Sequence, residues 1–323
     1  MMKKATIVWL IVAASLVLAG CMIFFGDVMM SLGWDFSKLT TDKYETTKHE
    51  ITEEYTDVTI VTDTADVVIL PSDGEKCTVV CYEPENAKHS VTVKDGVLTV
   101  ELQDTRKWYE HIGISVMSAK VTVYLPKGSH GALHIKSSTG DVEIPKDFEF
   151  DVIDVIASTG DVACYASATG DVRIKTSTGD VCVEGLSADA LDLAVSTGKV
   201  TVSDAECRGD VRIKVSSGKT TVSEVRCKSL TSTGNTGDIQ LAQVIAEEMI
   251  SIERSTGDVR LDACDAAELL LVTDTGDVTG TLLSDKVFIY KTDTGDVDLP
   301  RTQSGGRCDI TTDTGDIRIN VRS

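Results

Sequence analysis

The chain has 323 residues, 51 acidic and 31 basic, for a formal net charge of −20, with apolar residues making up 42 %. Such a negative balance argues against direct binding to nucleic acid or to anionic lipid heads. The five histidines fall in no HExxH pattern, and no CxxC, phosphate-binding glycine loop or Ser/His/Asp motif is visible, so neither catalysis nor a cofactor is expected.

In chain order, Lys3 and Lys4 precede an uncharged, mostly apolar run from Ala5 to Phe25, long enough to cross a bilayer as a helix. Basic residues before it and acidic sequence after it place the N-terminus inside and the remainder outside, a single-pass membrane protein with residues 1–25 as its anchor. A second reading takes Leu18-Ala19-Gly20-Cys21 as a lipobox, with Cys21 as the lipidated residue. Either way an exported domain is tethered at its N-terminus. Beyond the anchor 29 basic residues face 51 acidic ones, a formal −22. Residues 26–45 form a juxtamembrane spacer, with Trp34 and Phe36 placed for the interface.

Residues 46–135 make an N-terminal β region and cap. Strand patterns recur at Val58 to Val61, Cys77 to Cys81, Val97 to Leu102 and Val121 to Leu125, with Asp95-Gly96 as a hairpin-type turn. The segment Thr62-Asp63-Thr64-Ala65-Asp66-Val67 copies a motif that returns throughout the second half, with Ala for Gly, so regular coils are expected to begin well before Gly140. An insertion at 103–119 breaks the pattern and carries Arg106, Trp108 and Tyr109, candidates for partner binding; its alternative role is a lid over the end of the coils.

Residues 136–323 repeat a pentad of the form Ser-Thr-Gly-Asp-Val. Its glycines are Gly140, Gly160, Gly179, Gly198, Gly218, Gly237, Gly257, Gly276, Gly295 and Gly315, always 19 or 20 residues apart. Counting from each glycine, positions −7 and −5 are apolar apart from Ser232, and positions +2 and +4 give pairs such as Val142/Ile144 and Val259/Leu261. Alternation on both sides of a Gly turn predicts two short strands per unit, and column +7 adds an inward position, Leu283 included. Units this short cannot bury their apolar side alone, so the fold class is all-β, a parallel β-solenoid of about 19–20 residues per coil. The pairs Gly170-Asp171 and Gly209-Asp210 mark a second corner.

Stacking puts Asp141, Asp161, Asp180, Asp238, Asp258, Asp277, Asp296 and Asp316 in one column, where the side chains can accept backbone N–H groups. A cation ladder along Asp258, Asp277, Asp296 and Asp316 is the alternative, and Lys199 and Lys219, which stand in the same column, speak against it. Cys164, Cys264 and Cys308 fall in inward columns, Cys207 and Cys227 share one column in adjacent coils, and Cys182 points outward. Thr273, Thr275, Thr292 and Thr294 read as outward rows. The last coil ends at Ser323 without a capping segment, which predicts either charge protection by Arg318 and Arg322 or end-on self-association.

The run Gly33-Trp34-Asp35-Phe36-Ser37-Lys38-Leu39, the strand end Tyr124-Leu125-Pro126-Lys127 and the Ser-Thr-Gly-Asp-Val repeats together resemble the bacterial "putative adhesin" family, a domain of unknown function. The resemblance covers essentially all of the exported part. It implies a membrane-anchored β-solenoid in the cell envelope, often of Gram-positive bacteria and with some members encoded beside envelope-stress systems, and it supplies no catalytic residues. The expected function is a non-enzymatic binding, adhesion or envelope-stress module whose partner is a wall polymer or envelope protein. A carbohydrate-active β-helix enzyme is the competing class, and a cleft of carboxylates outside the turn column would favour it.

Overall fold

The computed structural model describes Met30 and residues 43–104 and 118–322. The anchor, Cys21, nearly all of the spacer, and Arg106, Trp108 and Tyr109 lie outside the described residues. Among those described, no helix is long and apolar enough to cross a membrane.

Nine strands build the N-terminal end: β1 (Tyr44–Ile51), β2 (Asp57–Thr62), β3 (Ala65–Pro71), β4 (Cys77–Pro84), β5 (Ala87–Lys94), β6 (Val97–Asp104), β7 (Ala119–Leu125), β8 (Gly128–Thr139) and β9 (Val142–Ile144). The coil β2/β3 is the first regular one, parallel on one side to β8/β9. On its other side it is parallel to β6/β7. Beyond them the direction reverses: β5 runs antiparallel to β6, β4 to β7 and β1 to β4. Parallel coils thus give way to an antiparallel cap. The copied Thr-Asp-Thr-Ala-Asp-Val segment takes its place in the stack as its sequence predicts, although 75 residues separate Asp66 from its neighbour Asp141.

From β8 to the coil at Val278–Leu282 each coil stacks on the one before, in register along most of its length, as in Val172↔Leu191↔Val211 and Val181↔Val200. Inward columns alternate with exposed ones, and the buried residues form one continuous core. Three strand segments, rather than two, make up a coil. Leu186 to Ala188 pairs with Ala205 to Cys207 along a third side, reached through a corner at +6 where Gly185, Asp204, Glu224, Gln243 and Ala263 all have positive φ. The pairs Gly170-Asp171 and Gly209-Asp210 mark the corner after that third side.

The C-terminal order departs from the chain order. The strands Glu268–Thr275 and Val278–Leu282 are followed in space by Gly306–Thr314 and Ile317–Val321. Lys286–Thr294 and Val297–Asp298 lie outside them. The coil expected to end the stack is therefore its penultimate one, and Ile310, Ile317 and Ile319 are buried. Arg318 and Arg322 do not guard the terminal edge; they pair with Asp316 and Asp262. Leu283, expected inward, is exposed, because a register shift between Leu261 and Cys264 brings Leu282 into the core instead.

Candidate functional site

The pentad can be built from its glycine. Gly179 has φ +139, and a Cβ there would run into the carbonyl oxygen of Gly160 in the preceding coil, so both the backbone angle and the close approach require glycine. The aspartate that follows reaches across to the next coil. Asp141 Oδ1 accepts the Asp161 N–H at 2.8 Å, Asp161 Oδ1 that of Asp180 at 2.7 Å, and Asp180 Oδ1 that of Lys199 at 2.7 Å. Further along, Asp258 accepts from Asp277 at 3.1 Å, Asp277 from Asp316 at 2.8 Å and Asp316 from Asp296 at 2.7 Å. The second oxygen of Asp258 and of Asp316 takes the arginine two residues on, Arg260 and Arg318. Repulsion along the column, about 0.9 kcal/mol per pair at a 4.8 Å spacing in water, is thus offset by the donated N–H groups and, at Asp258 and Asp316, by donors on both oxygens.

Inside the same turns, Thr273, Thr292 and Thr312 donate to the carbonyls of Gly257, Gly315 and Gly276, each at 3.1 Å. Thr273 and Thr312 are buried and Thr292 is half-buried, so the first Thr of each pair forms no outward row, whereas Thr275, Thr314 and Thr294 are exposed and stack in register.

The ladder is interrupted at Lys199 and Lys219, and a polar pocket opens in the core beside the gap. Arg254, 2 % exposed, occupies an inward position and donates from Nη2 to Thr220 Oγ1 and Ser232 Oγ, both at 3.0 Å. Gly234 makes the room, since a Cβ there would collide with the guanidinium. Ser232, the polar exception of its column, is explained by Arg254. No described carboxylate pairs with this arginine, its Nε and Nη1 have no partner, and burial lowers its pKa.

The outer side formed by the strands before each glycine carries a row that column counting did not single out: Lys136, Ile156, Lys175, Ala194 and Lys214 in successive coils. The three lysines are exposed, and their spacing of two coils is roughly 9.6 Å. Among the described residues none of the three is in an ion pair, whereas the neighbouring Arg173 and Arg212 pair with Asp171 and Asp210.

The ends hold the remaining features. A groove of about 770 Å³ beside the cap is lined by Glu53, Glu54, Tyr55, Glu75, Lys76 and His130, among others. Within the cap, Cys81, Glu83 and His89 bring one ligand-type atom each to within 4.8 Å of one another, a buried cluster that no sequence motif announced. The eight described cysteines are free thiols, seven of them buried, and Cys182 is half-buried. Cys207 and Cys227 sit in adjacent coils without a bridge. At the far end Ile289 and Tyr290 are 52 % and 55 % exposed.

The model of the family described as Toastrack DUF4097 matches residues 55–214 and 200–323. Among curated proteins no sequence matches. Similar solved structures include a "putative adhesin" from Parabacteroides merdae ATCC 43184, at 14 % identity and TM-score 0.50, covering 74 % of this chain and 97 % of that one. Another from Parabacteroides distasonis ATCC 8503 has 15 % identity and TM-score 0.48, over 75 % and 98 %. A third, from Bacteroides fragilis NCTC 9343, has 15 % identity and TM-score 0.44, over 87 % and 99 %. At these identities the likeness concerns the fold alone.

Proposed function

We propose that this chain, which belongs to the Toastrack DUF4097 family, is a non-enzymatic, membrane-anchored binding module of the cell envelope whose solenoid stands outside the membrane and holds an anionic envelope polymer. The observation that carries this reading is the lysine row. Lys136, Lys175 and Lys214 are exposed, regularly spaced and unpaired, with Ile156 and Ala194 between them keeping the charges two coils apart. A flexible ammonium is a point charge suited to a polymer whose anionic groups recur along its length. The chain's net negative charge repels such a polymer over the rest of the surface, so the contact is confined to this row. The turn carboxylates, engaged by backbone amides and arginines, serve construction. Arg106, Trp108 and Tyr109 would add a second contact, and the open coil at 286–298 is where copies would meet end to end.

For the competing class, a carbohydrate-active enzyme, the groove with Glu53, Glu54 and Glu75 is the relevant feature. There the amides of Glu53 and Thr52 and the Thr52 hydroxyl hold the Glu53 carboxyl below its usual range, the reverse of what a general acid needs.

Binding of the purified full chain to anionic wall-polymer fractions tests the proposal. Saturable binding that weakens with salt, and that falls at least tenfold when Lys136, Lys175 and Lys214 are all replaced by Glu, is the expected result. Equal binding by the triple variant, or none by the native chain, would refute it.

A further inference from the structure

Cys81 and Glu83 lie two apart on β4 and so face the same side of the strand, and the turn at 85–86 returns β5 so that His89 packs against them. All three are buried, at 0 %, 1 % and 5 % exposure. Glu83 Oε2 accepts the His89 backbone N–H at 2.8 Å and lies 2.6 Å from His89 Nδ1. The other ring nitrogen, Nε2, is 3.0 Å from Thr62 Oγ1, 27 residues earlier on β2. Glu83 Oε1, fully buried, has no hydrogen-bond partner.

A buried carboxylate with one idle oxygen is an expensive element of a core, and here it is set beside a thiol and an imidazole, the donor set of a zinc-class ion. Thr62 would orient the ring in the way that metal-bound histidines are usually oriented. With Nε2–H donating to Thr62 Oγ1, the lone pair of Nδ1 is left for the metal. Charge also balances, because a divalent cation cancels one thiolate and one carboxylate and leaves the site neutral. Ligand atoms around tetrahedral zinc stand about 3.5 Å apart. The cluster, whose ligand atoms lie within 4.8 Å of one another, reaches this by a small movement of the Cys81 side chain and an opening of the 2.6 Å Nδ1···Oε2 contact.

We propose that Cys81, Glu83 and His89 bind a single divalent ion of the zinc class. The ion ties β4 to β5 and, through Thr62, ties the cap to the first coil. It enters as the cap folds, since the site is closed to solvent. Uptake displaces the thiol proton of Cys81.

The test is metal uptake by the full chain, refolded after chelation in the presence of zinc or cobalt. One ion retained per chain, a thiolate-to-cobalt charge-transfer absorption and a raised melting temperature are expected. Cys81→Ala and His89→Gln should abolish all three, and Cys182→Ala should leave them unchanged. If either variant fails to fold, X-ray absorption of the zinc-loaded native chain decides, with one sulfur and the rest nitrogen or oxygen around the ion as the predicted shell. No retained metal, a shell without sulfur, or a charge-transfer band that survives in folded Cys81→Ala would each overturn the proposal.

Discussion

The two ends of the solenoid solve the same problem differently. At the N-terminal end the coil β6/β7 closes over β2/β3, and β5, β4 and β1 then reverse direction, so that Leu98, Val100, Val121 and Val123 are buried although few coils lie beyond them. At the other end Lys286–Thr294 is the last strand of its side. Its inward residues Phe288 and Tyr290 keep the apolar character of their columns but, among the described residues, have no further coil to pack on. A repeat supplies its own neighbours everywhere but at its ends, and among the described residues only one end has a different structure. Lys286, buried and paired through Nζ with Asp265 Oδ1 at 2.6 Å, holds the open coil where the chain turns back at Gly305 and Gly306.

The largest expected effect breaks the closed end. Leu98→Ala should cost about 2–5 kcal/mol by leaving a cavity in the cap, whereas Tyr290→Ala at the open end should cost under about 1 kcal/mol; paired thermal melts of the two variants check this. Next comes association. The open coil presents Val287, Ile289, Tyr290 and Val297 to solvent on an unpaired edge, so concentration-dependent dimers are expected in sedimentation, and Ile289→Lys with Tyr290→Glu should abolish them. A chain that stays monomeric at high concentration would show that the open end is not a meeting surface. An effect smaller than that of Leu98→Ala, and of opposite sign, lies between the ends. Arg254→Met should raise stability by about 1–3 kcal/mol, because it removes a buried cation that has no carboxylate partner; a fall of similar size would mean that the contacts to Thr220 and Ser232 outweigh desolvation.

Much of this was legible in the sequence for one physical reason: a stacked coil forces the same residue type at the same place. The glycine turns, the inward columns at −7 and −5 and the first coil at Asp57–Pro71 all follow from that register. The third strand segment was hidden because its corner is a glycine only at Gly185; at Asp204, Glu224, Gln243 and Ala263 ordinary residues adopt positive φ, and no residue type marks the column. The exchange of the last two coils was unreadable since both satisfy identical columns, and only their edges differ. Ser232 stood out as an exception, but its cause, Arg254, is 22 residues away in another column. Glu83 and His89 belong to the cap, where no repeat aligns distant residues, so their meeting with Thr62 of the first coil had no counterpart in the pattern. The lysine row is visible once the coils are aligned, although a search for motifs along the chain passes over it.

Lysine labelling tests the binding face most directly. The full chain would be acetylated with and without an anionic wall polymer, and each lysine followed by mass spectrometry. Protection concentrated at Lys136, Lys175 and Lys214, with Lys219, Lys228 and Lys291 unchanged, is the predicted result; uniform labelling, or protection confined to other lysines, would contradict the assignment of that face.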